Sequence, residues 1–258
     1  MIISSGSKNS PMIYLSIVSH AHFDLIKEIG CLIKFKESTR LKIIIRDNVG
    51  ELGFKNWCDS LGFTYSCNEK QFGFGENNNL NFLQAQLDGC SDDDYFLLFN
   101  PDVECSEENI VKLADRMTEN KLGLATLNLF LDKDFVEMDS CARKFPSLWN
   151  FISSYLLGVN GSIIDKARLD NVSSVDWVAG SFMMFRTSNY KRLNGFDEKY
   201  FMYCEDIDIC WRFHQESGSK VVLFKDIYAV HYARKNNRKM FSIHFLWHLK
   251  GCIRYLLR

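Results

Sequence analysis

The stretch YFLLFNPD, residues 95–102, decides how the chain is read. Five apolar residues in succession, Tyr95–Phe99, fit a strand covered on both faces of a sheet. Pro101 has no backbone N–H, so it ends the ladder, and Asp102 is left just past the strand's carboxyl end. Residues 12–19 (MIYLSIVS) and 41–46 (LKIIIR) read as earlier strands, 63–67 as a short third, and 95–99 as the fourth. Helical stretches at 23–35 and 78–87 lie between them. Strands alternating with helices imply an α/β fold with a mostly parallel sheet and right-handed crossovers. In such open sheets ligands bind beyond the carboxyl ends of the strands.

Composition agrees with one large domain. The 258 residues are 47% hydrophobic, 14% aromatic and 24% charged, ample material for a core. With 3 Pro and 15 Gly the chain is neither collagenous nor of low complexity, and its apolar content excludes wholesale disorder. A net charge of −1 lacks the basic footprint of a nucleic-acid coat, so no nucleic-acid partner is expected. Nine cysteines without a CxxC pair argue against a disulfide scaffold or zinc ribbon and fit reduced thiols of a cytosolic protein. There is no signal-peptide pattern and no run of ~18 apolar residues, which implies a soluble or surface-bound protein.

The second half is less regular. Residues 144–158 (KFPSLWNFISSYLLG) read as an aromatic helix, and 175–186 (VDWVAGSFMMFR) as two short strands around Ala179-Gly180. A helix is expected at 205–216, strands at 220–224 and 227–230, and a terminal helix at 241–257. No repeat or linker marks a domain boundary.

Polar side chains collect at the strand ends: Ser19-His20 after the first, Arg46-Asp47-Asn48 after the second and Asn100-Pro101-Asp102 after the fourth. A carboxylate at 102 suits a hard divalent cation shared with substrate phosphates; read alone, it equally suits a cap for a helix at 106–117. Asp92, Asp93 and Asp94 precede the fourth strand, roughly 20 Å from Asp102 at ~3.3 Å per residue, and read as a solvated turn. The segment QFGFGENNN (71–79) is a Gly-rich turn opening a helix, whose amides can meet a phosphate or be capped by the asparagines. In GFDEKYFMYCEDIDICWR (195–212), Glu205, Asp206 and Asp208 open a helix whose dipole favours their ionised form, as a general base requires. Acidic first turns are also ordinary helix chemistry. His231 follows the 227–230 strand and either completes a metal site with Asp102 or is structural. His244 and His248 have i,i+4 spacing without an intervening glutamate and read as interfacial; His20 and His22 stay open.

The order IVSH, IIIRDN, GFGENNN, FNPD, WVAGSFMMFR, FDEKYFMYCEDIDICWR and a strand-end histidine resembles the inverting GT-A glycosyltransferases of family 2. More narrowly it resembles the bacterial rhamnosyltransferases of O-antigen and related polysaccharide assembly. The resemblance runs from about residue 14 to 257. It implies a GT-A domain over 1–231, with a nucleotide-sugar half at about 12–110 and an acceptor half at 111–231, and a basic helical segment at 232–258. Donor binding falls to Ser19, Asp47 (the nucleotide base), Asn78, Asn79, Asn100 and Asp102. Asp102 matches the last acid of the DxD motif, holding Mg²⁺ or Mn²⁺ against the donor diphosphate. Asn100 replaces the first acid, and His231 matches a metal-binding histidine of some members. Asp206 matches the catalytic base with Glu205 beside it, and Trp177 and Gly180 border the acceptor. The implied donor is dTDP-L-rhamnose and the implied acceptor a polyprenyl-diphosphate-linked N-acetylglucosamine. The alternatives are UDP-galactose or UDP-glucose as donor, or a non-catalytic nucleotide-sugar-binding scaffold.

The tail is charged against the body. Seven of the 31 basic residues and none of the 32 acidic ones lie in 232–258, leaving 24 against 32 in the rest. The terminal helix carries Ile243, Leu246, Leu249, Ile253, Leu256 and Leu257, with Lys250, Arg254 and Arg258 on one face. That composition suits a helix lying on an anionic membrane surface, or an apolar stripe packed on the body. The first reading expects a protein peripherally attached to the inner face of the plasma membrane.

Overall fold

The computed structural model describes residues 10–233 and 243–258, apart from the side chains of residues 155 and 156. Four cations of the expected basic tail, Arg234, Lys235, Arg238 and Lys239, and the first two residues of the expected terminal helix lie outside the described residues.

Strands β1 (Ile13–Ser19), β2 (Leu41–Asp47), β3 (Thr64–Cys67) and β4 (Tyr95–Phe99) pair in parallel in the order β3-β2-β1-β4. The second half adds β5 (Val103–Glu104), β6 (Leu124–Phe130), β7 (Ala142–Arg143), β8 (Val172–Val175), β9 (Trp177–Val178), β10 (Phe182–Arg186) and β11 (Val221–His231). β10 runs antiparallel between β4 and β6, and β11 lies parallel to β6. The nine-stranded sheet is therefore parallel in its first half and mixed in its second, while β7 and β9 pair apart from it. Strands β1, β2, β3, β4, β6 and β11 all end at one edge, and β10 begins there.

Side chains alternate across the sheet as a period of two requires. Ile13, Leu15, Ile17, Leu97, Phe99, Phe182 and Met184 face one core. Tyr14, Phe96, Leu98, Met183 and Phe185 face the other. The first face is covered by helices α1 (Phe23–Ile29), α2 (Phe54–Leu61) and, after α3 (Phe74–Leu87), α4 (Glu107–Glu119). The second is covered by α3 and, past α5 (Leu148–Leu156), by α6 (Thr187–Arg192), α7 (Glu205–Ser217) and α8 (Ile243–Leu256).

Several boundaries differ from the sequence-based expectation, each for a local reason. The helix expected over 23–35 breaks at Gly30, whose left-handed φ of 69° separates α1 from a 3₁₀ turn at Cys31–Phe35. α3 starts at Phe74 rather than 78, so the Gly-rich segment forms its first turn; a Cβ at Gly75 would lie 2.7 Å from that of Phe196. The strands expected at 220–224 and 227–230 are one strand, β11, with a register shift between Phe224 and Tyr228. Strand β6 was not signalled by periodicity: all seven residues are buried, including Thr126 and Asn128, so no alternation marks it.

α8 docks with its apolar stripe exposed rather than packed on the body. Gly251, Cys252 and Tyr255 are buried against the body. Arg254 reaches Asp197 at 2.9 Å and Arg258 lies 4.2 Å over the Trp211 ring. Two cations of the basic face therefore contact the body, Arg254 half-buried and Arg258 still exposed. Ile243, Leu246, Leu249, Ile253, Leu256 and Leu257 are exposed, as is Lys250. No helix among the described residues is long and apolar enough to cross a membrane.

Candidate active site

At the β1 and β2 ends the candidate side chains point into the protein. The Ser19 hydroxyl donates to Glu51 Oε1 at 2.6 Å and accepts from the His22 amide at 3.1 Å. Asp47 is fully buried, its carboxylate accepting from the amides of Val49, Gly50 and Glu51 and from the Tyr65 hydroxyl at 2.6–3.0 Å. Its oxygens hold the 48–51 loop in place and present no surface to a nucleotide base in this conformation.

The asparagines of α3 behave alike. Asn78 accepts from the Ser16 hydroxyl at 2.6 Å and donates to the Phe74 carbonyl. Asn79 accepts from the Tyr190 hydroxyl and the Phe196 amide, and donates to the Phe196 carbonyl. These bonds fasten α3 to β1 and to the 195–198 loop. The first amide of α3, on Phe74, donates to the Phe201 carbonyl rather than standing open for a phosphate. Asn48, Asn68 and Asn77 form a connected amide network at the β2–β3 ends, of which the sequence reading did not single out Asn68. Arg46 donates into it through Asn68.

Past β4 the geometry opens. Ser106 caps α4 by accepting from the Asn109 amide, so Asp102 is not needed as its cap. Asp102 stands 3.4 Å from His231 Nε2, and His231 Nδ1 lies 2.5 Å from Asp139 Oδ2. Asp139 fixes the imidazole so that its other nitrogen faces Asp102, as a carboxylate does for a metal-binding histidine. Burial pushes the Asp102 carboxyl up, but the His231 hydrogen bond and charge outweigh it and hold it below the ordinary range. Burial alone would lower His231; its two carboxylate partners raise it to about 9. A carboxylate and an oriented imidazole fit Mg²⁺ or Mn²⁺, with substrate oxygens and water filling the remaining positions. The Asp92–Asp94 carboxylates lie at the other end of β4, where Asp94 accepts from the Met12 amide and Asp92 pairs with Lys191.

The Asn100 amide donates to the Ser181 carbonyl, which places the β4 end beside the turn that opens β10. Gly180, next in that turn, has room for no Cβ, which would lie 2.9 Å from the Phe74 ring and 3.9 Å from Asp206 Cβ. The Asn100–Asp102 loop and the Glu205–Asp206 pair therefore border one edge of the sheet, with Gly180 and Ser181 between them.

Glu205 and Asp206 form the first turn of α7 and line a cavity of about 430 Å³ with Arg143, Trp177, Ala179 and residues of α5 and α8. Trp177 is held by donation from Nε1 to the Lys144 carbonyl at 2.9 Å, with the Arg143 guanidinium 5.2 Å from its ring. Burial raises the Asp206 carboxyl, and the Ile207 and Gly180 amides and the Arg143 charge restrain that rise. Burial and the neighbouring Asp206 charge push Glu205 well above the carboxylate range. Among the described residues three buried side-chain atoms, Asn128 Oδ1, Ser181 Oγ and Glu205 Oε2, lack a hydrogen-bond partner, and of these residues Glu205 lines the cavity. Arg143 and Asp139 carry no motif and were missed from sequence.

No protein-family profile matches the chain. It is 39% identical over 248 residues to the rhamnosyltransferase WbbL of Escherichia coli K12, covering 96% of this chain and 93% of that protein. The N-acetylglucosaminyl-diphospho-decaprenol L-rhamnosyltransferase of Mycobacterium tuberculosis H37Rv is 32% identical over 124 residues, 45% of this chain and 40% of that protein. Among solved structures, GalNAc-T7 with UDP, GalNAc and Mn²⁺ superposes with a TM-score of 0.67 at 12% identity, covering 97% of this chain and 48% of that one. That likeness shows the GT-A fold.

Proposed function

The chain belongs to the bacterial rhamnosyltransferases of the GT-A fold, and on that premise we propose that it transfers L-rhamnose, with inversion, from dTDP-L-rhamnose to a polyprenyl-diphosphate-linked N-acetylglucosamine in O-antigen or related polysaccharide assembly. The observation that carries this reading is the cavity floored by Glu205 and Asp206 on the sheet edge that also bears Asp102 and His231.

Asp206 takes the proton from the acceptor hydroxyl as that oxygen attacks the anomeric carbon from the side opposite the leaving group. Its raised proton affinity makes it a stronger base, while two amides keep its carboxylate aimed. Glu205, whose carboxyl burial and the Asp206 charge push well above the ordinary range, offers a hydrogen-bonding partner to an acceptor oxygen. Trp177 supplies an apolar wall for a sugar ring, and Arg143 beside it steadies the negative charge of Asp206. A divalent cation held by Asp102 and His231 supplies charge neutralisation for the departing nucleoside diphosphate. Ser19, Asp47, Asn78 and Asn79 serve the donor indirectly, by setting the loops whose backbones line its site.

The inner face of the plasma membrane suits such an acceptor. Trp149 and Ile152 on α5 and Leu246, Leu249 and Ile253 on α8 are exposed, and both helices also wall the cavity. Apolar side chains flanking the cavity seat the protein at a lipid interface without a membrane span. The double variant Leu246→Glu, Leu249→Glu is expected to lose co-sedimentation with anionic vesicles; unchanged sedimentation removes this face from the account.

The reaction is tested by offering dTDP-L-rhamnose, UDP-galactose and UDP-glucose with Mn²⁺ and a short polyprenyl-diphosphate N-acetylglucosamine. Rhamnose transfer from the first alone is expected. Transfer from a UDP-sugar instead overturns the donor, and tight donor binding without transfer to any acceptor favours a scaffold.

A further inference from the structure

The fold gathers three metal-ligating side chains that the transfer reaction does not use. Cys204 immediately precedes the Glu205–Asp206 pair, and His248 and Cys252 lie one turn apart on α8. One donor atom from each falls within 4.8 Å of the others. The Cys204 and Cys252 sulfurs are 3.8 Å apart, and Cys252 Sγ is 3.3 Å from His248 Nδ1. Both cysteines are buried, and they belong to segments 48 residues apart in sequence.

The backbone is shaped to make this meeting. Tyr203 and Cys204 both adopt left-handed φ, 73° and 68°, a conformation that costs side-chain-bearing residues energy and persists where surrounding structure compensates. Gly251 lets α8 lie directly on them: a Cβ there would come 2.7 Å from the Tyr203 carbonyl and 3.3 Å from Cys204 Sγ.

We propose that Cys204, His248 and Cys252 bind a thiophilic divalent cation of the zinc class, which fastens α8 to the helix carrying Glu205 and Asp206. Tetrahedral bonds of about 2.3 Å to sulfur and about 2.0–2.1 Å to nitrogen set sulfurs about 3.8 Å apart and sulfur and nitrogen about 3.6 Å apart. The Cys204–Cys252 and Cys252–His248 separations already lie close to these, and Cys204 and His248 stand within 4.8 Å. Two thiolates and an imidazole select zinc, whereas the oxygen-seeking Mg²⁺ or Mn²⁺ belongs at Asp102 and His231, so the chain holds two sites of different chemistry. Binding displaces two thiol protons to solvent. Cys204 and His248 line the cavity, from which a water completes the tetrahedron. The consequence for the acceptor rests on the proposed transferase reading, since α8 forms part of the cavity wall; the metal itself does not.

The full chain, purified under reducing conditions without chelator and given one equivalent of zinc, is desalted and its zinc measured by mass spectrometry. Cobalt substitution then reports thiolate ligation through charge-transfer absorption. About one zinc per chain and a thiolate–cobalt band are expected. Both are lost in Cys252→Ser and in His248→Ala, and both are kept in Cys67→Ser, which removes an exposed cysteine elsewhere. Circular dichroism confirms that each variant is folded. Zinc is also expected to slow amide exchange in α8. A wild-type chain that retains no zinc overturns the proposal, whether its nine thiols all titrate or Cys204 and Cys252 form a disulfide. Zinc retained by a Cys252→Ser, His248→Ala double variant overturns it too. Zinc bound by a chain that transfers no sugar leaves this site standing and removes the transferase reading.

Discussion

At the β1, β2 and α3 end of the sheet edge, Ser19, Asp47, Asn78 and Asn79 use their hydrogen-bonding groups inside the protein. Across the edge, Glu205 is buried with Oε2 left unpartnered, in the wall of a cavity that those four residues do not line. Those four motif residues build the frame, whereas Glu205 and Asp206 face open space. A buried polar group without a partner is costly, so its persistence at one location points to a ligand that satisfies it.

The largest effect that sharpens this contrast is loss of the cation. Chelation with EDTA is expected to abolish transfer, and added Mn²⁺ or Mg²⁺ to restore it. Asp139→Asn, which removes the group orienting His231, is expected to weaken the metal's apparent affinity by about 10–100-fold while saturating metal restores turnover. Metal-independent transfer would remove the Asp102–His231 pair from the site.

Next comes Asp47→Asn. Three amides and a tyrosine hydroxyl converge on that carboxylate, and an amide side chain cannot accept from all of them. A loss of about 1.5–3 kcal/mol in denaturant unfolding is expected. An unchanged midpoint with abolished nucleotide binding would break the comparison, because it would make Asp47 a ligand contact rather than part of the frame.

The smallest effect concerns pH. Glu205 is pushed well above the ordinary range by burial and the Asp206 charge, whereas unfolded glutamate titrates near ~4.3. Below that value both states are protonated, and Glu205→Gln gains nothing. Above it the unfolded chain ionises first, so the wild type loses stability as pH rises toward the folded value. The variant's thermal midpoint is therefore expected to exceed the wild type's increasingly from pH 5 to pH 8. A gap that shrinks with rising pH would show Glu205 ionised in the folded chain.

The strands of the first half were legible because buried parallel strands are continuous apolar runs, and Asp102 because Pro101 marks the strand end. The Glu205–Asp206 pair was legible from its place at a helix start. What was hidden depends on distant partners. Nothing near Asn79 announces that Tyr190 and Phe196, over a hundred residues on, will consume its side chain. Asp139 lies in a loop without periodicity, and only the folded β11 brings His231 to it. The contacts of Arg254 and Arg258 with the body were equally hidden, because Asp197 and Trp211 come from other elements.

The central claim is that Asp206 removes the acceptor's proton in a site whose donor-binding part is built elsewhere. Its most direct test is single-turnover transfer by Asp206→Asn at saturating donor, with donor affinity measured on the same preparation. The expected result is a rate lower by about 10²–10⁴-fold with donor affinity and folding unchanged. A rate equal to the wild type's, or a loss explained wholly by weaker donor binding, would contradict it.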